Sequence, residues 1–164
     1  MNAASSTPTP APTTPALSVP ADITQILHAE IPLTRAMGLQ VASWDGTSVT
    51  LSAPLAPNQN HTDTAFGGSI SSLAIMAGYS LLFLLFRDRA ISTRILIQKS
   101  ATEYLLPIDA EFSATATCPP PAALAEFLET LKRKRRARLD LPSQVHSRHT
   151  LAATHTGLYV AMIY

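Results

Sequence analysis

A Gly-Gly-Ser step, Gly67–Ser69, opens a long apolar segment and offers the first chemistry in this sequence. If a helix begins there, its first backbone N–H groups lack intrahelical acceptors and lie at the positive end of the helix dipole. Glycine has no Cβ, so a carbonyl group can approach Gly67 and Gly68 closely. Such N–H groups stabilise the oxyanion that forms when a carbonyl is attacked. The alternative is that the glycines only allow a turn or close helix packing.

The loop before this step carries side chains that handle protons. Asp63 is the only carboxylate between Asp45 and Asp88, which makes it the candidate general base or nucleophile. His61 is a candidate for holding or activating water near neutral pH, and Asn60 for orienting water or the attacked carbonyl. Each has a structural alternative, with Asp63 as a helix cap, His61 as a hydrogen-bonding loop residue and Asn60 as a turn residue.

Other catalytic and metal-binding signatures are absent from the sequence. It contains no Gly-x-Ser-x-Gly elbow, no His-Glu-x-x-His and no phosphate loop. The single cysteine, Cys118, excludes an internal disulfide and a multi-cysteine metal site. His146, His149 and His155 show no metal-ligand spacing and are predicted to be edge or turn residues. We therefore expect neither a bound metal nor a cofactor.

The segment around the candidate site is unusually long and uncharged. No charged residue occurs from Thr64 to Phe86, so the segment meets the length test for a membrane-spanning helix, about 20 residues. Glycine and serine fill its first half, however, and only Leu81–Phe86 is purely apolar. We predict a helix buried within a protein fold, which other elements must wrap. Its polar positions either line a ligand pocket or bond to the backbone: Ser71, Ser72 and Tyr79.

Strand-like segments on both sides of this helix provide the wrapping. Leu39–Trp44 and Ser48–Ala53 are predicted to form a hairpin that turns at Asp45-Gly46. Four strands are predicted after the helix: Arg94–Leu106, Glu111–Thr117, Arg136–His146 and Thr150–Ile163. Simple alternation in the first of these puts Ile95, Ile97, Ala101 and Leu105 on one face. Shorter helices are predicted at Ile23–Glu30, with Asp22 as its cap, at Ile31–Gly38 and at Ala122–Lys132. The pattern predicts an α+β fold in which one antiparallel sheet curls around a long central helix.

Length and charge distribution predict one domain that follows a tail. The chain has 164 residues, enough to bury one sizeable core. Residues 1–21 contain no charged side chain and five of the thirteen prolines, which is typical of a disordered tail. They have neither the basic nor the apolar region of a signal peptide, so we expect a cytoplasmic protein. Residues 22–164 then form the domain.

Half of the basic residues are concentrated in one run, "KRKRRAR". The rest of the chain has six basic against eleven acidic residues. The run suits the phosphates of a ligand or the acidic surface of a partner protein. It equally suits a solvated helix end whose charges complement the dipole. Association with nucleic acid or a membrane surface is a further alternative, but no aromatic residues interleave the run, so base stacking is unsupported and no nucleic-acid partner is expected. The phosphate-binding candidates are Lys132, Arg133, Lys134, Arg135 and Arg136.

Three segments carry a family resemblance: "IPLTRAMG" at 31–38, "APLAPNQNHTDTAFGGS" at 53–69 and "GLYVA" at 157–161. Together with the element order, they resemble the thioesterase-like domain at the C-terminus of YiiD-type bacterial acetyltransferases, a member of the hot-dog superfamily. The resemblance covers residues 25–164. It departs from many hot-dog thioesterases in two ways, because Phe66 stands where their helix begins with histidine and no acid follows within the helix.

The resemblance implies a thioesterase that hydrolyses an acyl-CoA or acyl-carrier-protein thioester, with coenzyme A present only as part of the substrate. Gly67, Gly68 and Ser69 would hold the carbonyl oxygen, and Asp63, helped by Asn60 or His61, would activate water. The alternative is a non-catalytic acyl- or CoA-binding domain, which the missing helix acid favours. A homodimer or higher homo-oligomer is expected because two such sheets can join edge to edge.

Overall fold

Two short helices open the part of the chain that the computed structural model describes, residues 22–164. They are α1 (Asp22–Glu30) and α2 (Pro32–Ala36). Gly38 follows α2 with φ of 66°, the left-handed conformation that glycine adopts without penalty, so the predicted helix stop is confirmed. The predicted tail, 1–21, and the predicted cap contributed by the Asp22 side chain lie outside the described residues.

The predicted hairpin is present as β1 (Gln40–Trp44) and β2 (Ser48–Ala53). Its turn is closed by the Asp45 carboxylate, which accepts hydrogen bonds from the backbone N–H groups of Thr47 and Ser48 at 2.8 and 2.7 Å. These bonds hold the pKa of Asp45 below its ordinary value. On β2 the side chains of Val49, Leu51 and Ala53 are fully buried.

The long apolar segment is helix α3 (Gly67–Arg87), and it forms the centre of the molecule. The length and composition of α3 would allow it to cross a membrane. However, 67% of its most apolar 18-residue stretch is buried inside the fold. The sheet approaches α3 so closely at Gly78 that a Cβ atom on this residue would lie 2.4 Å from the Tyr159 hydroxyl. That hydroxyl donates to the Ile75 carbonyl at 2.8 Å, which ties the middle of α3 to the sheet. The helix is therefore a core helix.

The remaining elements complete one six-stranded sheet around α3. They are β3 (Thr93–Tyr104), β4 (Phe112–Thr117), α4 (Pro121–Lys134), β5 (Arg136–Ser147) and β6 (Thr150–Ile163). The strand order is β1-β2-β4-β5-β6-β3, and every neighbouring pair is antiparallel. The sheet edges are thus the five-residue β1 and the twelve-residue β3.

The predicted face of β3 is wrong beyond its midpoint because the strand contains a bulge. Ile97 pairs with Tyr159 and Lys99 with Leu158, so Gln98 is an extra residue. The extra residue reverses the alternation. Ser100, Thr102 and Tyr104 therefore share the inner, helix-facing side with Ile95 and Ile97, whereas Ala101 lies on the outer side.

Candidate active site

The loop between β2 and α3 is anchored by one buried amide. Asn58 is 2% exposed, and its Nδ2 donates to the carbonyls of Met37 and Pro54 at 2.8 and 2.7 Å. The backbone carbonyl of Asn58 accepts from the Phe66 N–H at 2.7 Å. These bonds join the end of α2, the end of β2 and the start of α3. Asn58 therefore sets the position of the whole loop, a role that the sequence alone did not reveal.

Asn60 closes a tight turn within the loop. Its Oδ1 accepts from the Thr62 N–H and hydroxyl, both at 2.8 Å, and its Nδ2 donates to the Thr64 hydroxyl at 2.9 Å. The Asn60 N–H donates to the Thr64 carbonyl at 2.8 Å. Because both ends of the amide are engaged, the geometry favours the turn role for Asn60.

The same turn presents Asp63 and His61 to solvent. Asp63 adopts a left-handed φ of 60°, which aspartate tolerates better than most residues. Its N–H donates to the Asn60 carbonyl at 3.3 Å. Within residues 22–164 neither the Asp63 carboxylate nor the His61 ring has a hydrogen-bond or ionic partner. Asp63 does not cap α3, so its carboxylate is free to meet a ligand.

Helix α3 begins with open N–H groups. The first intrahelical bond runs from the Ile70 N–H to the Phe66 carbonyl at 3.1 Å, and Phe66 caps the helix with no side-chain hydrogen bond. The N–H groups of Gly67, Gly68 and Ser69 consequently have no acceptor in the described part of the chain. All three residues are half-buried. The predicted cluster of oxyanion donors is therefore available at this position.

Two aromatic rings flank these N–H groups. A Cβ on Gly68 would lie 2.2 Å from Cε1 of Phe66, so the exposed Phe66 ring covers the Gly68 α-carbon. The Tyr104 hydroxyl donates to the Gly67 carbonyl at 2.9 Å. Tyr104 was not singled out from the sequence, because it reaches α3 only after the bulge in β3 turns it inwards.

A mainly apolar cleft of about 270 Å³ begins beside the first turn of α3. Its wall is formed by Gly67, Ile70, Tyr104, Leu106 and Ile108, among others. The Ile108 carbonyl accepts from the Ala65 N–H at 2.7 Å, which fixes the cleft against the loop. An apolar cleft next to unpaired N–H groups suits a ligand with a carbonyl at one end and a hydrocarbon at the other.

Larger surface depressions lie elsewhere but lack this combination. One of about 570 Å³ runs along the ends of β4 and β5 and includes Glu111, His146 and His149. It is bordered by the exposed ion pair between Arg148 and Asp109 at 3.4 Å. No helix N-terminus opens into it. Within residues 22–164 no group of three or more His, Cys, Asp or Glu side chains is placed to hold a metal ion.

His155 is not the edge or turn residue that the sequence suggested. It is 2% exposed at the centre of β6, between β3 and β5. Ser143 Oγ donates to the Ala74 carbonyl at 3.1 Å, so His155 Nδ1 donates to Ser143 Oγ at 3.2 Å. His155 Nε2 then accepts from Ser100 Oγ at 3.0 Å. Burial lowers the pKa of His155, which keeps the ring neutral in this chain of hydrogen bonds.

The basic run lies at the other end of the fold. Lys132–Lys134 form the last turn of α4, Arg135 is left-handed with φ of 55°, and Arg136 begins β5. All five side chains are exposed. The run adjoins the C-terminal end of α3, because Phe127 of α4 stacks on Phe86 at 6.1 Å. Since α3 is 21 residues long, about 30 Å separate the basic run from the open N–H groups of the same copy.

A six-stranded antiparallel sheet wrapped around one long helix is the hot-dog fold, and comparison with solved structures agrees. A thioesterase from Haemophilus influenzae superposes with a TM-score of 0.69 at 10% identity, over 89% of this chain and 92% of that one. The predicted fold class is confirmed. Within this class, the family model described as "Putative thioesterase (yiiD_Cterm)" matches residues 20–163. The chain belongs to this family.

Two solved structures have higher sequence identity to this chain. A protein of unknown function from Chlorobaculum tepidum TLS is 27% identical, with a TM-score of 0.81 over 86% of this chain and 92% of that one. A "putative thioesterase" from Shewanella oneidensis is 28% identical, with a TM-score of 0.77 over 85% of this chain and 94% of that one. The family and the fold that the sequence resembles are thus both confirmed.

Proposed function

We propose that this protein hydrolyses the thioester of an acyl group carried by coenzyme A or by an acyl-carrier protein. The main observation is that three unpaired N–H groups, at Gly67, Gly68 and Ser69, begin a helix beside an apolar cleft and follow the exposed carboxylate of Asp63 by four to six residues in the chain. Membership of a thioesterase family supports the same reaction class. The proposal places the acyl group in the cleft and the thioester carbonyl at the first turn of α3.

In the proposed reaction the carbonyl oxygen accepts hydrogen bonds from the Gly68 and Ser69 N–H groups. Asp63 takes a proton from water as the water oxygen attacks the carbonyl carbon. The tetrahedral oxyanion is stabilised by the same N–H groups. It collapses with cleavage of the carbon–sulfur bond, and the proton held by Asp63 goes to the departing thiolate. The products are a carboxylic acid and a free thiol.

The supporting residues keep this arrangement in place. Asn60 has its amide engaged in the turn, so we assign it the positioning of Asp63 rather than contact with water. His61 is exposed two residues before Asp63 in the chain and is proposed to hold the attacking water. Asn58 and Tyr104 fix the loop and the first turn of α3 relative to each other.

The test compares Asp63→Asn with Asp88→Asn, which removes an exposed carboxylate at the opposite end of α3. Hydrolysis of a panel of acyl-CoA thioesters is followed by thiol release. Loss of a general base costs about 10²- to 10⁴-fold, so Asp63→Asn should lose at least 100-fold in kcat while Asp88→Asn keeps native turnover. Full activity of Asp63→Asn on every thioester would remove Asp63 from the mechanism.

A second candidate function is acyl or CoA binding without turnover. It is favoured by the absence of any acidic residue in α3 up to Phe86. Measurements on the native protein distinguish the two functions. Saturable binding of acyl-CoA without thiol release, across the whole panel of thioesters, would establish the binding function.

The proposal also includes the basic run and a homodimer. Lys132, Arg133, Lys134, Arg135 and Arg136 are proposed to bind the phosphates of coenzyme A, and the open β3 edge is proposed to pair with a second copy. Neutralising Lys132 and Arg133 to glutamine should raise KM for acyl-CoA with little change in kcat. Arg35→Gln, an exposed cation on α2, serves as the matched control. A cytoplasmic location completes the proposal.

A further inference from the structure

Ser100, His155 and Ser143 form a hydrogen-bonded chain that the proposed thioesterase reaction does not use. Ser100 Oγ lies 3.0 Å from His155 Nε2, and His155 Nδ1 lies 3.2 Å from Ser143 Oγ. Ser143 Oγ in turn donates to the Ala74 carbonyl of α3 at 3.1 Å. A hydroxyl, a base within hydrogen-bond reach and a third group that orients the base are the parts of an activated serine nucleophile.

The far end of this chain determines which nitrogen of His155 carries the proton. Because the Ser143 hydroxyl hydrogen is directed to the Ala74 carbonyl, Ser143 Oγ accepts from the ring, and Nδ1 is the protonated nitrogen. Nε2 therefore keeps a lone pair, which accepts the hydroxyl hydrogen of Ser100. Burial lowers the pKa of His155, so the ring is an uncharged base at neutral pH. The ring is able to take the proton of Ser100.

The chain joins a buried base to an exposed serine. His155 and Ser143 are both buried, whereas Ser100 is an exposed residue of the edge strand β3. Its hydroxyl lies on the inner side of that strand, so the backbone pairing proposed for the β3 edge does not use it. A base shielded from water and a hydroxyl open to a ligand are what a nucleophilic serine requires.

Two backbone features bring Ser100 and His155 together. The bulge at Gln98 turns Ser100 towards the inner side of the sheet. Ser100 pairs with Gly157, and a Cβ on Gly157 would lie 3.0 Å from Cε1 of the His155 ring. The missing side chain leaves space for the ring to extend diagonally from its own position, opposite Thr102, to Ser100. The contact therefore depends on a glycine at this point of β6.

A second hydroxyl donor lies next to Ser100 along the strand. Thr102 Oγ1 and Ser71 Oγ are 3.0 Å apart, and one hydroxyl hydrogen lies between them. The other hydrogen of this pair has no acceptor within residues 22–164. Thr102 follows Ser100 by two residues on the same face, which places the two side chains about 7 Å apart. A carbonyl group between them can meet Ser100 Oγ at its carbon and the free hydroxyl hydrogen at its oxygen.

The surroundings of Ser100 suit an uncharged ligand. In the described part of the chain, no charged side chain bonds to Ser100, His155 or Ser143. A charged ligand would lose its hydration there without gaining a counter-ion. Ile97, the next inner residue of β3 before the bulge, is 39% exposed and offers an apolar contact.

We propose that Ser100 is the nucleophile of a second active site, which hydrolyses uncharged carboxylic esters through an acyl-serine. Ser100 Oγ attacks the carbonyl carbon while its proton passes to His155 Nε2. The tetrahedral oxyanion accepts a hydrogen bond from the hydroxyl pair of Ser71 and Thr102. The carbon–oxygen bond to the alcohol then breaks, and His155 gives the proton to the departing alcohol oxygen. Water attacks the acyl-serine with His155 as base, which releases the carboxylic acid and restores Ser100.

The site is distinct from the proposed thioesterase site at the first turn of α3. Ala74, to which the hydroxyl chain is anchored, follows Gly67 by seven residues, or about 10 Å along the helix. One carbonyl carbon therefore cannot meet both Ser100 and the open N–H groups of Gly67–Ser69. The ester hydrolysis proposed for Ser100 does not depend on thioester hydrolysis.

Trapping of the nucleophile is tested on the full chain with an uncharged fluorophosphonate, which phosphonylates activated serines with loss of fluoride. We expect one added phosphonyl group in the intact mass, assigned to Ser100 by peptide mapping. Ser100→Ala should abolish the labelling. Ser43→Ala, which removes an exposed serine of the other edge strand β1, should label as the native protein does. An unlabelled native protein, or a label on another residue with Ser100 unmodified, would overturn the proposal.

The role of His155 is tested by steady-state hydrolysis of p-nitrophenyl acetate. His155→Gln can keep a hydrogen bond to Ser100 and cannot take its proton, so we expect it to lower kcat/KM at least 100-fold, as does Ser100→Ala. Native turnover in His155→Gln would show that Ser100 reacts without this base and would contradict the mechanism.

Acyl-CoA turnover distinguishes the two sites. Ser100→Ala should release thiol from acyl-CoA at the native rate while it loses ester hydrolysis. Equal loss of both activities would place Ser100 in the thioesterase site and overturn a separate ester site. A native protein that releases no thiol from any acyl-CoA contradicts the proposed function, whereas the labelling of Ser100 is decided independently.

Discussion

At the scale of single residues, replacement of Gly68 would affect both the position of the Phe66 ring and access of a ligand to the backbone N–H groups. Its missing Cβ leaves room for the Phe66 ring, and a methyl group there would lie 2.2 Å from that ring. The ring must therefore move if Gly68 is replaced. Displacement of the ring and obstruction of the N–H groups are separate effects, and they can be measured separately.

We expect Gly68→Ala to lower kcat/KM by about 10²-fold, since a misplacement near 1 Å at a reacting group has that cost. The double variant Phe66→Ala/Gly68→Ala relieves the clash but keeps the methyl group on the residue that supplies a donor. If the N–H groups hold the carbonyl, the double variant stays as impaired as the single one. Recovery of native activity in the double variant would assign the whole effect to ring displacement.

His155 makes the stability of the fold depend on pH. Burial lowers the pKa of His155 in the folded state below the ordinary value of about 6.5. At a pH between the two pKa values, the unfolded chain therefore binds a proton at this residue and the folded protein does not. The stabilisation is complete above pH 6.5 and is lost as the pH falls towards the folded-state pKa. The slope from this residue is at most about 1.4 kcal/mol per pH unit.

Urea unfolding at pH 8, 6.5 and 5 tests this prediction. His155→Gln can keep a hydrogen bond to Ser100 or Ser143 and cannot titrate. The free energy of unfolding of the native protein should therefore fall more steeply with decreasing pH than that of the variant. Parallel curves for the two proteins would show that His155 does not contribute to the pH dependence.

At the scale of elements, the contact between β3 and α3 controls the geometry of the site. Tyr104 reaches the Gly67 carbonyl at 2.9 Å, and Thr102 reaches Ser71 at 3.0 Å. Both contacts exist because the bulge turns the second half of β3 inwards. The first turn of α3 is therefore held from the strand as well as from the loop that Asn58 anchors.

Tyr104→Phe removes one of these contacts and leaves the ring. We expect a loss of stability of about 1 kcal/mol or less, since the hydroxyl is partly solvated, and a larger relative loss in kcat than in stability. Thermal unfolding and acyl-CoA turnover measure the two effects. Thr102→Val is a comparison one turn further along α3, and its turnover should change less. Equal loss in both variants would indicate general loosening of β3.

The helices and strands could be predicted from the sequence because their local signals are strong. Asp45-Gly46 specified the hairpin, Gly38 the end of α2, and the charge gap from Thr64 the central helix. The bulge at Gln98 has no such signal, since an extra residue in a strand is fixed by pairing with β6 and not by local preference. The sequence alone therefore could not predict which face of the sheet Ala101 and Ser100 occupy, nor the environment of His155 that depends on it.

The site was partly predictable for the same reason. The open N–H groups of Gly67, Gly68 and Ser69 follow from where a helix begins, which the sequence indicates. The roles of Asn58 and Tyr104 depend on partners 21 and 37 residues away in the chain. No pattern within one segment can reveal a contact of that kind.

At the scale of the whole molecule, the proposed pairing of β3 edges links stability to protein concentration. A dimer that unfolds to separate chains is stabilised by mass action. Raising the protein from about 1 to 100 µM should therefore raise Tm by several degrees. A Tm that does not change with concentration, in a protein shown to unfold reversibly, would contradict dissociation on unfolding.

The bulge in β3 also bears on how such a dimer assembles correctly. A straight strand of twelve residues would accept many alignments with its copy, each differing by two positions and nearly equal in energy. With or without the bulge, an alignment shifted by one residue sets inner side chains against outer ones, and shifts by two residues keep the faces matched. The strand therefore rejects one-residue slips by itself, and its exposed side chains have to select among the remaining alignments.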